Sequence, residues 1–260
     1  MMLDQDYFTL AGKRGLILGI ANEHSIAYGC ARAFRALGAE LAVTYLNDKA
    51  RPYVEPCAQA VGAELFLPCD VTREGELEAV FEAIDQRWGR LDFAVHSIAF
   101  APKEVLHGRL TDSSASGFGV AVDVSAHSFL RMARLAEPLM HEGGSLFAMS
   151  FYGAEKVIRT YNLMGPVKAV LESSVRYVAD ELGPKGIRAY ALSPGPLATR
   201  AASGLKDFDA LMAQAAERAP LGRLATIDDV GALAAMLATR TGTMLTGQTL
   251  YCDGGYHIKA

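Results

Sequence analysis

The sequence predicts an α/β fold: one domain over residues 1–260, built on a covered parallel sheet. Short apolar runs alternate with stretches of helical spacing along almost the whole chain. No polar linker separates these units, and no internal repeat or low-complexity tract interrupts them. That alternation is what strands joined by crossover helices require. A composition of 51% hydrophobic and 21% charged residues is that of an ordinary soluble globular chain.

Taken in order, "GKRGLILGIA" is a buried strand ending near Gly19. "SIAYGCARAFRALGAE" follows with Ile26, Cys30, Ala33, Phe34 and Leu37 at helical spacing, Ser25 as candidate N-cap and Gly38 as C-terminal breaker. "AELAVTYL" is a second strand, then a helix around 50–60, a strand at "AELFLPCD", a helix over 74–88 and a strand at "LDFAVHSIA". A long helical region is expected over roughly 111–140, a strand at "GGSLFAMS" and a helix over much of 161–182. "GIRAYALSPGP" reads as a strand and a rigid loop. Residues 226–239 form the last helix, capped by Thr226, and "TLYCDGG" is the final strand.

Composition also excludes function classes. A formal charge of -4 gives no footing for nucleic acid, which needs concentrated basic residues. No apolar run reaches the ~18 residues of a membrane span. The opening "MMLDQDYFTLAGKR" lacks a basic segment followed by an apolar one, so no secretory signal is expected. The four cysteines are scattered without a CxxC pair, as packed, reduced thiols of a cytoplasmic protein would be. The six histidines have no metal-binding spacing, and no metal site is expected.

The first turn, "GIANEHSIAYG" at residues 19–29, is a candidate nucleotide site. Gly19 permits a tight departure from the strand, and Ser25 and Ile26 offer backbone N–H groups at a helix start, where phosphate is stabilised. Gly29 would let the helix pack close to the sheet. The GxGxxG spacing itself is absent, interrupted at Ala21 and Ser25. Asp70 could accept a bond from an adenine amino group, or simply cap a turn. "HSIAF" at residues 96–100 falls on the same carboxyl edge, where open sheets bind ligands. Asp48 could meet a ribose and Lys49 or Arg51 a 2′-phosphate, so the residues leave the cofactor type open.

"YNLMGPVK" at residues 161–168 spaces a tyrosine and a lysine by nearly two helical turns. On one helix face their Cα atoms would stand roughly 10 Å apart, which suggests a ligand shared between the tips. Pro166 would kink such a helix or force it to begin near Gly165.

At this point the chain resembles the bacterial enoyl-acyl-carrier-protein reductases, which are short-chain dehydrogenase-like enzymes. The likeness runs from about Gly12 to Gly255 and rests on the ordered set "GIANEHSIAYG", "CDV", "HSIAF", "YNLMGPVK", "SPGPLATRAASGLKDF" and "DGG". The resemblance implies a Rossmann-like doubly wound parallel sheet, a homotetramer, NADH as the commoner cofactor with NADPH not excluded, and trans-2-enoyl thioesters on acyl carrier protein as substrates. It assigns Gly19, Ser25 and Ile26 to the pyrophosphate, and Asp70 and Val71 to the adenine. Ser97, Ile98 and Ala99 go to the nicotinamide ribose side, with Lys168 on the ribose hydroxyls and Pro196 and Thr199 also on the cofactor. Tyr161 would face the thioester, and residues 196–210 would cover the acyl chain. Phe100, Ala101, Phe151, Met164, Leu205 and Phe208 would line an apolar trough.

Two departures bear on this reading. Carbonyl-reducing relatives place tyrosine and lysine four residues apart, yet position 165 here is Gly, which favours enoyl reduction. Many family members carry tyrosine where this chain has Phe151, and the neighbouring Tyr152 is offset by one residue and points elsewhere. Lys168 could position the ribose and favour the phenolate form of a nearby tyrosine. Competing readings are a carbonyl reductase of a small metabolite using Ser150 and Tyr161, and a non-catalytic dinucleotide-binding regulator, suggested by Phe151 and Pro166.

Overall fold

Seven of the apolar runs are strands: β1 (Arg14–Leu18), β2 (Glu40–Tyr45), β3 (Leu65–Pro68), β4 (Phe93–His96), β5 (Gly144–Met149), β6 (Ile187–Pro194) and β7 (Gln248–Cys252). The computed structural model describes residues 5–158, 161–197, 199 and 208–259, with only the backbone of residues 5, 6, 208, 209 and 211. The strands form one parallel sheet in the order β3-β2-β1-β4-β5-β6-β7. The chain winds outward from β1 to β3, then returns to the other side of β1 as β4. A crevice therefore opens between the carboxyl ends of β1 and β4. Leu18 lies in register with His96, so Gly19 and Ser97 leave the sheet side by side.

Helices cover both faces, because strands buried on both sides need apolar partners above and below. On one face lie α1 (Ile26–Ala36), α2 (Arg51–Ala60) and α9 (Ile227–Ala238). The other carries α3 (Glu76–Trp88), α6 (Ser128–Ala136) and α7 (Met164–Leu182). Phe34 of α1 shows how the spacing becomes packing: its ring sits 4.3 Å from that of Phe93 on β4 and 6.0 Å from Phe147 on β5. Burying such a ring stabilises the fold by about 2–3 kcal/mol. Thr226 caps α9 with a complete capping box, its hydroxyl accepting from Asp229 N while the Asp229 carboxylate accepts from Thr226 N.

The structure refines four points of that reading. The helical region expected over 111–140 runs from Ala115 to Leu139 but is not uniform: α5 (Ala115–Val122) begins where Ser114 caps Gly117 N, a π-helical turn follows over Asp123–His127, then α6 and a 3-10 turn over Glu137–Leu139. Two further short helices, α4 (Lys103–Leu106) and α8 (Phe208–Arg218), had no place in the sequence reading. Gly29 does not serve the sheet. A Cβ there would lie 2.1 Å from Ile227 O, and one at Gly231 would lie 2.3 Å from Gly29 O. The two glycines bring α1 and α9 together. Finally, of the two outcomes expected of Pro166 the structure takes the start near Gly165: α7 begins at Met164, so Pro166 is its third residue. Its missing N–H belongs to the first turn, which has no intrahelical acceptors, and no kink is forced.

Candidate active site

The β1–α1 turn is built by Gly19 and Ser25. Gly19 has φ +103°, and a Cβ there would stand 2.1 Å from Ser97 O. No other residue lets the two strand ends abut this closely. Ser25 sits at the N-cap position with extended backbone, as expected, but its hydroxyl does not cap the helix. It turns back to accept from Ala21 N at 2.9 Å and Asn22 N at 3.1 Å. The Ser25 amide is itself bonded to Asn22 O. The loop is thereby held in shape by its own serine, while Ser25 O takes the Tyr28 and Gly29 amides and leaves those of Ile26 and Ala27 at the helix start, where an anion is favoured.

Across the crevice, the loop after β4 is clamped by a residue the sequence reading missed. Ser125, in the π-helical turn, accepts from Phe100 N at 2.9 Å and donates to Phe100 O at 3.1 Å. Widening the helix by one residue is what aims that hydroxyl at the loop. Ser97 and Ile98 are half-buried, Ala99 and Phe100 are exposed, and Ala101 is buried. His96, just before them, is fully buried. Ser128 spends its hydroxyl proton on Val124 O, so His96 Nε2 donates to Ser128 Oγ at 2.6 Å and Nδ1 is left without a partner. Burial, and then the charge of Lys168, push its pKa down to about 3, so it stays neutral.

At the end of β3, Asp70 closes a turn: its Oδ1 accepts from Thr72 N and Thr72 Oγ1 at 3.0 and 2.7 Å. Val71 is buried, and its carbonyl accepts from Arg131. Beyond β2, Asp48, Lys49 and Arg51 are exposed, with the Arg51 guanidinium 5.7 Å from the Tyr45 ring centroid. Pro196 is buried and Thr199 half-buried at the far side of the crevice.

Tyr161 and Lys168 do not share a helix. Tyr161 lies in the turn before α7, and Asn162, at φ +44°, reverses the chain after it. Asparagine tolerates this left-handed conformation, and here its amide also pins the turn, donating to Leu106 O at 3.1 Å and Gly108 O at 2.7 Å. The Tyr161 ring meets Phe151 edge-on at 4.7 Å. Gly153 leaves room for it, since a Cβ there would lie 2.6 Å from Tyr161 Cδ1. The two-turns-on-one-face geometry expected from the spacing is therefore replaced by a pinned turn.

Lys168 is buried, and its Nζ donates to Met149 O at 2.6 Å. Burial lowers its pKa to about 8, against which the carboxylate of Glu172 acts. For Tyr161, burial and then Glu172 both raise the pKa. The expected drive toward phenolate is not found, and the phenol holds its proton. Ser150 donates its hydroxyl to Glu172. Tyr152, as its offset implied, turns away, packing edge-on against Tyr251 and Tyr256 and beside Ala215 and Ala219.

Met164, Ala101, Val105, Leu163 and Val167 form a small apolar cluster against which Tyr161 and Leu106 pack. Phe100 is 53% exposed and so free to meet a ligand. Leu205 lies outside the described residues, as does the Phe208 side chain and most of the expected covering segment at 196–210. Among the described residues no group of His, Cys, Asp and Glu could hold a metal ion, and no helix is long and apolar enough to cross a membrane.

Known proteins share this arrangement. Residues 19–257 match the family described as Enoyl-(Acyl carrier protein) reductase. Enoyl-acyl-carrier-protein reductase (NADH) 1 of Rhizobium meliloti strain 1021 is 45% identical over 246 residues, spanning 95% of this chain and 90% of its own. The enoyl-acyl-carrier-protein reductase of Anaplasma phagocytophilum, solved in complex with NAD, matches with a TM-score of 0.92 at 43% identity, over 96% of this chain and 97% of that one. The Bacillus cereus enoyl-acyl carrier protein reductase, solved with NADP+ and indole naphthyridinone, gives a TM-score of 0.94 at 41% identity, over 96% and 98%.

Proposed function

The chain belongs to the Enoyl-(Acyl carrier protein) reductase family, and we propose that Tyr161, Lys168 and the loops around the β1–β4 crevice carry its reaction. The protein is an enoyl-acyl-carrier-protein reductase that uses NADH to reduce a carbon–carbon double bond. A relative solved with NADP+ shows that the other nicotinamide cofactor also has a place in the family.

The residues present fit a dinucleotide. Gly19 leaves the β1–α1 turn without a side chain at its closest approach to Ser97, the Ile26 and Ala27 amides stand at the start of α1, and Lys168 spends one of its three donors on Met149 O. When bound, NADH supplies the hydride that goes to the β-carbon of the enoyl thioester. Gly19, Ser25 and Ile26 would hold the pyrophosphate, Asp70 and Val71 the adenine, Ser97, Ile98 and Ala99 the nicotinamide ribose side, and Pro196 and Thr199 the far wall. The remaining donors of Lys168 would hold the ribose hydroxyls. Negative charge then gathers on the thioester oxygen, and the Tyr161 phenol donates to it. The α-carbon takes its proton from Tyr161 or from water.

The observation that carries this assignment is geometric: the buried Lys168 sits on Met149 O at the end of β5, Tyr161 packs edge-on against Phe151 two residues further along, and Gly19 abuts Ser97 across the crevice. Ser150 is committed to Glu172, which disfavours the carbonyl-reducing arrangement that would need its hydroxyl beside Tyr161. Phe151, Phe100, Ala101 and Met164, together with Leu205 and Phe208, would line the acyl trough. One domain over 1–260 would carry both cofactor and substrate, with 196–210 covering the chain. Family membership supports a cytoplasmic homotetramer that takes its thioesters from acyl carrier protein.

Purified protein given NADH and an enoyl thioester should oxidise the cofactor. Tyr161→Phe should lower kcat about 100-fold, the cost of one donor to a developing oxyanion, with NADH affinity unchanged. A folded wild type that oxidises neither NADH nor NADPH overturns the assignment, and a fully active Tyr161→Phe removes Tyr161 from it.

A further inference from the structure

Glu172 stands one turn beyond Lys168 on α7, so both side chains leave the same side of the helix. A carboxylate is costly there. Burial raises its pKa by penalising the charged form, and hydroxyls oppose that penalty. Ser150, at the end of β5, donates to its Oε1, and the Thr249 hydroxyl of β7 favours the charged form as well. Arg176, on the same helix, also favours the charge, whereas Glu155, after β5, opposes it. Tyr251 of β7 gives its hydroxyl to Glu155 Oε2. Lys168 bonds Met149 O, so ammonium and carboxylate act on each other through space. His96 of β4, which faces Lys168, is neutral and adds no charge.

We propose that Glu172 is a positioning residue acting through Lys168 and Tyr161: held by Ser150 between the strand-end residues that meet Lys168 (Met149) and Tyr161 (Phe151), its half-buried negative charge keeps the ammonium and the phenol in their proton-bearing forms. This rests on the reading above, in which Lys168 donates to the ribose and Tyr161 to the thioester oxygen. Both tasks fail on loss of a proton, and both requirements have the same sign. Desolvation alone keeps a phenol protonated but strips an ammonium. A nearby negative charge is the arrangement that favours the protonated form of both. The Ser150 hydroxyl matters because a half-buried carboxyl without a donor would take up a proton more readily and lose the effect.

Glu172→Gln tests this directly, since the amide oxygen can still accept from Ser150 while the charge is gone. In wild type the alkaline limb of kcat/KM should be set by Lys168, near pH 8. In Glu172→Gln that limb should move about one pH unit toward acid, and NADH affinity should fall over the same range. Glu172→Asp, which keeps the charge, should bring the limb back toward wild type. An alkaline limb in Glu172→Gln that coincides with that of wild type overturns the proposal, whatever happens to kcat. If Glu172→Gln does not fold, Ser150→Ala gives the same answer from the other side. Losing a donor to the carboxylate should raise the acid limb, and an unmoved acid limb overturns the proposal. Failure of the enzyme assignment is seen separately, as a wild type without turnover or a fully active Tyr161→Phe.

Discussion

Lys168 sets activity and stability against each other. Its ordinary pKa of 10.5 is lowered to about 8 in the fold, chiefly by burial. Between those values the unfolded chain carries a proton the folded one has lost, so this group makes stability rise with pH across that window. Below about pH 8 the full cost of the buried charge is present. Activity runs the other way, because the ribose needs the charged donor. Lys168→Met should therefore abolish tight NADH binding while flattening the rise of unfolding free energy from pH 8 to 10.5, by up to one proton in slope. Equal slopes for both proteins in urea titrations would show that the ammonium is not desolvated. At this scale the sequence was partly legible. Tyr161 and Lys168 stood out through the ordered motifs around them, whereas Glu172 looks like any solvated helix acid. Nothing in a lone sequence says that Ser150 and Thr249, 22 residues before it and far beyond it, converge on that carboxylate. Asn162 carried a weak signal, as a residue that tolerates left-handed backbone beside a glycine–proline pair.

Elements differ in how local their causes are. The α9 capping box is written within four residues, so Thr226 could be read as a cap from the sequence. Thr226→Ala should cost about 1 kcal/mol. The contact of α1 with α9 depends instead on two glycines two hundred residues apart, each legible only as a break in helical preference. Gly29→Ala places a methyl 2.1 Å from the Ile227 carbonyl, which is backbone and has little room to move. Its cost should be about 2–3 kcal/mol, more than that of the lost cap. Urea denaturation of the two variants ranks them, and a Gly29→Ala protein as stable as wild type would mean that the helices separate freely. Within the helical region expected over 111–140, the break in regularity was illegible for a related reason. Apolar spacing continues through Ala115–Val122 and Ser128–Ala136, but the π-helical turn between them shifts the register by a residue to deliver Ser125 to the Phe100 loop. Periodicity records which side faces the core, and a local widening that preserves this leaves no trace in it.

For the whole molecule, alternating strands and helices gave the parallel sheet, because right-handed crossovers leave few alternatives. The order of strands was a different matter: nothing local in β4 says that it returns beside β1 rather than continuing past β3. That return creates the crevice, and it makes the binding site a property of assembly. Gly19 against Ser97, Ser125 on the Phe100 loop and Lys168 on Met149 O are separate contacts, and they come to the carboxyl edge only when β1, β4, β5 and α7 are all in place. A ligand held by so many elements binds the folded state and not the unfolded chain, so NADH should stabilise the protein as a unit. At a concentration about 100 times Kd the gain is about 2.7 kcal/mol, or roughly 5 °C in Tm for a chain of this size. Gly19→Ala should lose most of that gain in addition to its own cost, since its methyl would force apart the two strand ends that form the crevice. A wild-type Tm unmoved by either nicotinamide cofactor would mean that the crevice does not bind one, and the site would have to be sought elsewhere on the sheet.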